Sequence, residues 1–364
     1  MTADLTLFAI CPPGLELPLA AEMRALGLDV RGTQPGGVTA GGGWEDVWRA
    51  NLHLRGATRV LVRLGQFKAT SLGELESKAA GFPWRDHLAS REPVSLEVTC
   101  RKSRISNANA AQARWERALR RAGVAVTAQA RVALKLRIDK DTCVISVDTS
   151  GEPLFKRGFK AAVSKAPLRE SMAAMFLRMC AYAPGEPVLD PLCGSGTIPL
   201  EAAEIAAGLV PGRARRFAFE ALPSFNPARV APLRGAVSEP VEAQFYGFDR
   251  DAGAIGSAVS NAKRAGVRVS FAQRPVAELV APDGPPGLVL TNPPYGARIG
   301  NPKALVPLYR TLGERLRADF AGWRVGIITS EAKLAQATGL PFEPLGAPVA
   351  HGGLKVWLFR TGVL

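Results

Sequence analysis

Histidine is scarce in this chain. Three residues, His53, His87 and His351, stand far apart in 364 positions. The five cysteines, Cys11, Cys100, Cys143, Cys180 and Cys193, are odd in number, scattered and never spaced as CxxC. Neither set offers the ligand spacing of a metal site, and the cysteines form no disulfide framework; reduced thiols and no metal are expected. No apolar run reaches the length of a membrane span, so no transmembrane helix is expected. The first residues, MTADLTLFAICPPG, lack a basic leader followed by a long apolar core, so no signal peptide is expected and a cytoplasmic location is. Acid is in deficit: 46 Lys and Arg against 32 Asp and Glu give a net charge of +14. A basic surface attracts polyanions, although charge alone does not separate a nucleic-acid binder from an arginine-rich proteome.

The length suits two or three domains. Leu5 to Cys11 reads as a strand, Leu15 to Leu26 as a helix stopped by Gly27, and Thr58 to Leu64 as a second strand, together a small α+β unit. From Pro93 the pattern becomes strand, basic helix, hairpin. Val94, Leu96 and Val98 alternate with polar residues. In CRKSRISNANAAQARWERALRRAG, Ala111, Trp115, Ala118, Leu119 and Ala122 fall on one helical face. Arg114, Arg117 and Arg121 fall on another. Seven basic residues and one acidic lie between Arg101 and Arg121. A phosphate-binding face is therefore expected, made by Arg101, Lys102, Arg104, Arg114, Arg117 and Arg121, with Lys156 and Arg157 added at the join to the second half. A merely solvated basic face is the alternative.

After residue 160 strands and helices alternate, as in a parallel α/β sheet. The methionine stripe Met172, Met175, Met179 reads as plain core. Val188-Leu189-Asp190 is an apolar strand ending in a carboxylate, followed by Pro191-Leu192-Cys193-Gly194-Ser195-Gly196-Thr197 and a helix from Ile198 to Ala207. Strand, glycine turn, helix is where ligands sit in a doubly wound sheet. A dinucleotide fingerprint fails because its third glycine is Pro199. A phosphate-cradling loop fails for want of a lysine. Phe245 to Asp249 supplies a second strand ending in an acid, suited to accept hydrogen bonds from ribose hydroxyls. Arg250 and Asp251 follow, Asp251 as a helix N-cap. Between these strands lies an insertion around PGRARRFAFEALPSF. The fourth strand, Gly287 to Leu290, is apolar and ends in Thr291-Asn292-Pro293-Pro294-Tyr295-Gly296.

DPLCGSGT resembles the S-adenosylmethionine loop of class I methyltransferases, and NPPY resembles the motif that methylates exocyclic amino groups on planar rings. Such an amine is a poor nucleophile, because its lone pair is delocalised into the ring. The Asn292 side-chain oxygen and the Pro293 carbonyl can accept its two N–H groups and stabilise the charge that develops on nitrogen. The paired prolines stiffen the backbone. Tyr295 offers a face on which the base can stack. The alkylated amine can lose its proton to water, so no dedicated base is required.

Together these motifs, with FAICPPGLE, LFKRGFKAAVSKAPLRE, RFAFE and TNPPYGARIG, resemble the THUMP-domain RNA guanine-N2 methyltransferases over essentially the whole chain. The resemblance implies a ferredoxin-like unit at 1–65, a THUMP RNA-binding domain at 66–158 and a Rossmann-like α/β methyltransferase domain with a mostly parallel sheet at 159–364. It implies S-adenosylmethionine as cofactor, bound by Leu168, Glu170, Asp190, Pro191, Cys193, Gly194, Ser195, Gly196, Thr197, Asp249, Arg250 and Asn292. Catalysis falls to Asn292, Pro293, Pro294 and Tyr295. The implied substrate is RNA, 23S ribosomal RNA first and transfer RNA second. Pro275 departs from the pattern: it stands where the family has an acid for the adenine amino group, which leaves a main-chain group to read the adenine. Three other readings stay open: a DNA adenine or cytosine amino-methyltransferase, an RNA-binding assembly factor without catalysis, and, least favoured, a nicotinamide oxidoreductase.

Overall fold

The computed structural model describes residues 4–89, 92–160, 168–235, 239–296 and 302–364. The junction segment 161–167 and residues 297–300, both part of the family-like stretches, lie outside the described residues. The chain divides into two compact units. One holds residues up to Cys11, Ala20–Leu154 and Arg215–Arg234; the other holds Pro12–Leu19, Phe155–Ala214 and Gly235–Leu364.

The first unit is built on one seven-stranded sheet. Its strands are β1 (Leu5–Ile10), β2 (Asp29–Gln34), β3 (Gly37–Gly42), β4 (Arg59–Lys68), β5 (Val94–Arg101), β6 (Val132–Asp139) and β7 (Thr142–Asp148). Their order is β2-β3-β1-β4-β7-β6-β5. Pairing is antiparallel except between β5 and β6. Alternation explains β6: Val132, Leu134, Leu136 and Ile138 are buried while the residues between them are not. The β6–β7 turn places Lys140 and Asp141 in the left-handed region, as the Asp-Lys-Asp sequence suggests. The 65/66 border drawn from sequence falls inside β4, which pairs with β1 on one side and β7 on the other. Helices α1 (Glu16–Ala25), α2 (Trp44–His53), α3 (Leu72–Ala80) and α4 (Ala108–Arg121) complete the N-terminal region. Asn107 caps α4 through its side chain, and Ala111, Trp115, Ala118 and Leu119 are its buried face. Trp115 packs on Phe67 and, edge on, against Trp84.

The insertion after residue 207 folds in part with this first unit. Phe219 N donates to Thr149 O, and Arg215 donates to the carbonyl of Pro153 at 2.7 Å. A short helix α7 (Pro227–Val230) belongs to this segment.

The second unit carries α5 (Glu170–Met179), β8 (Val188–Asp190), α6 (Thr197–Ala206), β9 (Phe245–Asp249), α8 (Ala252–Ala265), β10 (Ser270–Gln273), β11 (Leu288–Thr291), α9 (Val306–Asp319), β12 (Arg324–Thr329), α10 (Ala332–Ala337), β13 (Val349–His351) and β14 (Leu354–Val363). The strand order is β10-β9-β8-β11-β12-β14-β13. The strands β8 to β12 run parallel and β14 is antiparallel to both neighbours. Met172 and Met175 are buried in α5 as plain core. On α9 and beneath the sheet, Tyr309, Leu312, Leu316, Phe320 and Trp323 form a core with Val289, Val325 and Ile327. The order reverses between β8 and β11, so the carboxyl ends of β8, β9 and β11 open on one crevice.

Candidate active site

A cavity of about 640 Å³ lies at those carboxyl ends. Its walls bring together residues that stand more than 150 positions apart. Asp190, Cys193, Gly194, Ser195 and Thr197 come from the β8–α6 turn, Asp249 and Arg250 from the end of β9, Asn292 to Tyr295 from the end of β11, and Leu168 from before α5. Glu170, Pro191 and Gly196 do not line it. Glu170 instead pairs with Lys160 at 3.1 Å, and Lys160 also donates to Thr197 Oγ1 at 2.7 Å. Glu170 therefore belongs to the frame behind the loop rather than to its wall.

Gly196 has its own reason. Its φ is +84°, and a Cβ there would stand 2.9 Å from Phe271 Cζ and 3.1 Å from Ala258 Cβ. The turn can pass so close to β10 and α8 only without a side chain. Asn261 of α8 closes the turn from outside by donating to Ser195 O at 3.1 Å.

The two acids differ in environment. Asp249 accepts from Gly194 N at 2.9 Å and from Asp251 N at 3.0 Å. Asp251 itself caps α8, accepting from Gly253 N at 2.8 Å, as its position before the helix suggests. Asp190 is 2% exposed. Burial pushes its carboxyl up to about 7, against the lowering effect of hydrogen bonds from Thr291 and Leu192 N; the nearby Asp249 charge raises it further. Burial likewise raises the Cys193 thiol, which stays a neutral wall group.

Asn292 lines the same cavity, and its Oδ1 is shielded from water and accepts no hydrogen bond among the described residues. The Ser195 hydroxyl is in the same condition. Unsatisfied buried polar atoms are uncommon in native structures, and here two of them belong to residues that line one cavity.

Sequence reasoning missed several wall residues: Leu192, Ile198, Gly253, Ala254, Ser257, His351 and Leu354. His351 and Leu354 flank the β13–β14 turn, which folds back from the C-terminal end of the chain. Nothing local marked them. Pro275 begins a short 3-10 turn, and no residue from 270 to 278 lines the cavity.

The basic residues expected at RNA fare unequally. Arg101, Lys102 and Arg104 are exposed, as is Lys156. Arg114, Arg117 and Arg121 do share a face, but all three converge on Glu76 of α3, at 2.9, 3.8 and 2.9 Å. Glu76 is 6% exposed, and the Arg114 hydrogen bond and the other guanidiniums hold its carboxyl below the usual range. Arg157 is a correction. It is 1% exposed and pairs with the equally buried Glu201 of α6 at 3.2 Å, so it cannot present its charge to an external phosphate.

A seven-stranded sheet with one antiparallel strand, a glycine turn after its first strand and an Asn-Pro-Pro-Tyr turn after its fourth define a Rossmann-like methyltransferase domain. Residues 157–341 match the RMKL-like methyltransferase domain family and residues 6–61 the RlmL ferredoxin-like domain. The chain belongs to the RMKL-like methyltransferase family. It is 36% identical to the ribosomal RNA large subunit methyltransferase K/L of Chromohalobacter salexigens, over 99% of this chain and 51% of that protein. It is 33% identical to the protein of that name from Syntrophotalea carbinolica, over 93% of this chain and 51% of the relative. The chain thus spans about half the length of these curated relatives. Among solved structures it resembles a possible methylase from Clostridium difficile 630, with TM-score 0.91 and 28% identity over 100% of this chain and 99% of that one. SMU.472, solved in complex with SAH, gives TM-score 0.88 and 28% identity over the same shares.

Proposed function

We propose that the chain is an S-adenosylmethionine-dependent RNA methyltransferase that modifies the N2 amino group of guanosine in 23S ribosomal RNA. The observation that carries this reading is the orphaned Asn292 oxygen, set in one cavity with Asp190 and Asp249. The names of the curated relatives support the ribosomal substrate, and SAH in the SMU.472 structure supports the cofactor.

The residues present fit that cofactor. Asp190 offers charge to its cationic methionine end, Asp249 offers acceptors to ribose hydroxyls, and the free Ser195 hydroxyl and the turn from Cys193 to Thr197 offer polar contact without bulk. Leu168 and Arg250 line the same wall. When bound, S-adenosylmethionine supplies an electrophilic methyl group. The protein's share is to hold the target amine. Asn292 Oδ1 and Pro293 O accept its two N–H groups and favour the positive charge that builds on nitrogen, Pro294 stiffens the turn, and Tyr295 stacks on the base. The proton leaves to water. A paired guanine hides this amine, so the target nucleotide is unpaired or flipped.

Residues 66–158 act in this reading as the THUMP RNA-binding part, following the ferredoxin-like unit at 1–65 and preceding the catalytic part at 159–364. Arg101, Lys102, Arg104, Arg114, Arg117, Arg121 and Lys156 hold phosphates, in the cytoplasm. The test is labelled methyl transfer to total RNA and, separately, to DNA from a strain lacking this gene, followed by nucleoside analysis. N2-methylguanosine in 23S RNA is expected. The same nucleoside in transfer RNA would move the substrate, and label in DNA alone or in no fraction would overturn the reading.

A further inference from the structure

The Asn-Pro-Pro-Tyr turn has little backbone with which to anchor itself. Pro293 and Pro294 carry no N–H, so neither can donate to a neighbour. Their rings fix φ at 293 and 294. A following proline also restricts the residue before it, which limits ψ at Asn292 and at Pro293. Pro294 is followed by Tyr295, and its ψ is the first torsion in the turn that no ring governs. That torsion orients the 294–295 peptide and thereby the Tyr295 side chain.

Among the described residues, one group acts at that point. The Tyr309 hydroxyl of α9 donates to Pro294 O at 3.2 Å. Tyr309 is 0% exposed and is packed in the core under the sheet, where Tyr295 packs against the same cluster. The Thr329 side chain at the end of β12 also hydrogen-bonds Tyr309, and burial raises the phenol above its ordinary range, so it stays a neutral donor. The donor is thus held by a rigid helix, a strand and a closed core. It does not line the cavity and touches no reacting atom.

We infer that Tyr309 is a positioning residue, which fixes the Pro294 carbonyl and so aims Tyr295 as the stacking platform for the target base. This inference rests on the proposed base methylation for its kinetic consequence, but not for its structural one. Tyr309→Phe keeps the buried ring and removes only the hydroxyl.

The first measurement is hydrogen exchange of the Tyr295 amide in Tyr309→Phe, with the melting temperature recorded alongside. Exchange at Tyr295 and Gly296 is expected to quicken by about tenfold while exchange in β8 and β9 is unchanged. Unchanged exchange at Tyr295 overturns the inference, whatever the enzyme acts on. The second measurement is kinetic, on RNA from a strain lacking the gene. Tyr309→Phe is expected to raise KM for RNA several-fold with SAH affinity unaltered. In a Tyr295→Ala background the same substitution is expected to have no further effect on KM, because the two act through one contact. Additive effects would overturn the route through Tyr295. If wild-type protein and Asn292→Ala behave alike on RNA, the proposed function fails, and the exchange result still decides the role of Tyr309.

Discussion

The Thr291 hydroxyl donates a 2.7 Å hydrogen bond to Oδ1 of Asp190. The two residues end β11 and β8, which pair in parallel, Leu288 beside Val188 and Val289 beside Leu189. One bond therefore joins the strand that carries Asp190 to the strand that carries the Asn-Pro-Pro-Tyr turn. It is also one of the two hydrogen bonds that hold the Asp190 carboxyl down to about 7 against burial.

Binding of a cationic ligand at Asp190 should depend on pH near neutrality. Affinity for S-adenosylmethionine is expected to rise between pH 6 and pH 8, as the carboxyl ionises around 7. Thr291→Val removes a bond that favours the charged form and should move the midpoint upward. Asp190→Asn should weaken binding and flatten the profile. Calorimetric titration across this range checks all three; a flat wild-type profile would remove Asp190 from the cationic end of the ligand.

The same group links to stability. Its folded value, about 7, lies above the ordinary carboxylate value. Protonated Asp190 is therefore favoured by folding, and that stability is fully present below about pH 4 and lost as pH rises through 7. The melting temperature of Asp190→Asn relative to wild type is expected to increase from pH 5 to pH 8. A difference independent of pH would mean that the carboxylate is better solvated than its burial implies.

Asn292→Ala should slow methyl transfer by about 10²–10³ in kcat, which is the usual scale for removing one preorganised polar group from a charge-stabilising site. SAH binding should stay within a few-fold of wild type. Parallel turnover and binding assays separate the two; wild-type turnover would strip Asn292 of its role.

Glu76 sets the charge of the α4 face. It stands against Arg114, Arg117 and Arg121, so that face carries less free charge than three arginines suggest. Glu76→Gln is expected to tighten RNA binding at low salt and steepen its salt dependence, whereas alanine at all three arginines should weaken binding and flatten it. If neither substitution changes the salt slope, this helix is not on the RNA.

Arg157 separates an internal ion pair from a phosphate contact. Arg157→Ala leaves Glu201 buried without this partner, a loss of about 3–5 kcal/mol. Denaturant unfolding is expected to show it, and the salt slope of RNA binding should not move. A reduced slope with full stability would reverse the assignment.

Much of the second unit was legible because its signals are local. An apolar run that leads into Asp190, Asp249 or Asn292 is a buried strand whose end meets the crevice, and Pro199 behind two glycines, with no lysine in the loop, argues against a dinucleotide and a phosphate loop before any contact is known. The helical faces of α4 and α5 follow from spacing alone, since side chains three and four apart share a side. Tertiary structure decided what depends on partners distant in sequence. Arg157 and Arg114 are the same letter, yet one is sealed against Glu201, 44 positions away, and the other opens to solvent beside Glu76, 38 away. The insertion residues 215–234 group with the first unit through bonds such as Phe219 to Thr149, which no periodicity records. His351 enters the cavity wall from a hairpin near the chain end, and the Tyr309 hydroxyl reaches Pro294 from a helix whose pattern says only that it is buried. Periodicity fixes which side of an element faces inward; what it meets there is fixed by strand order, and that is set by the packing of the whole sheet.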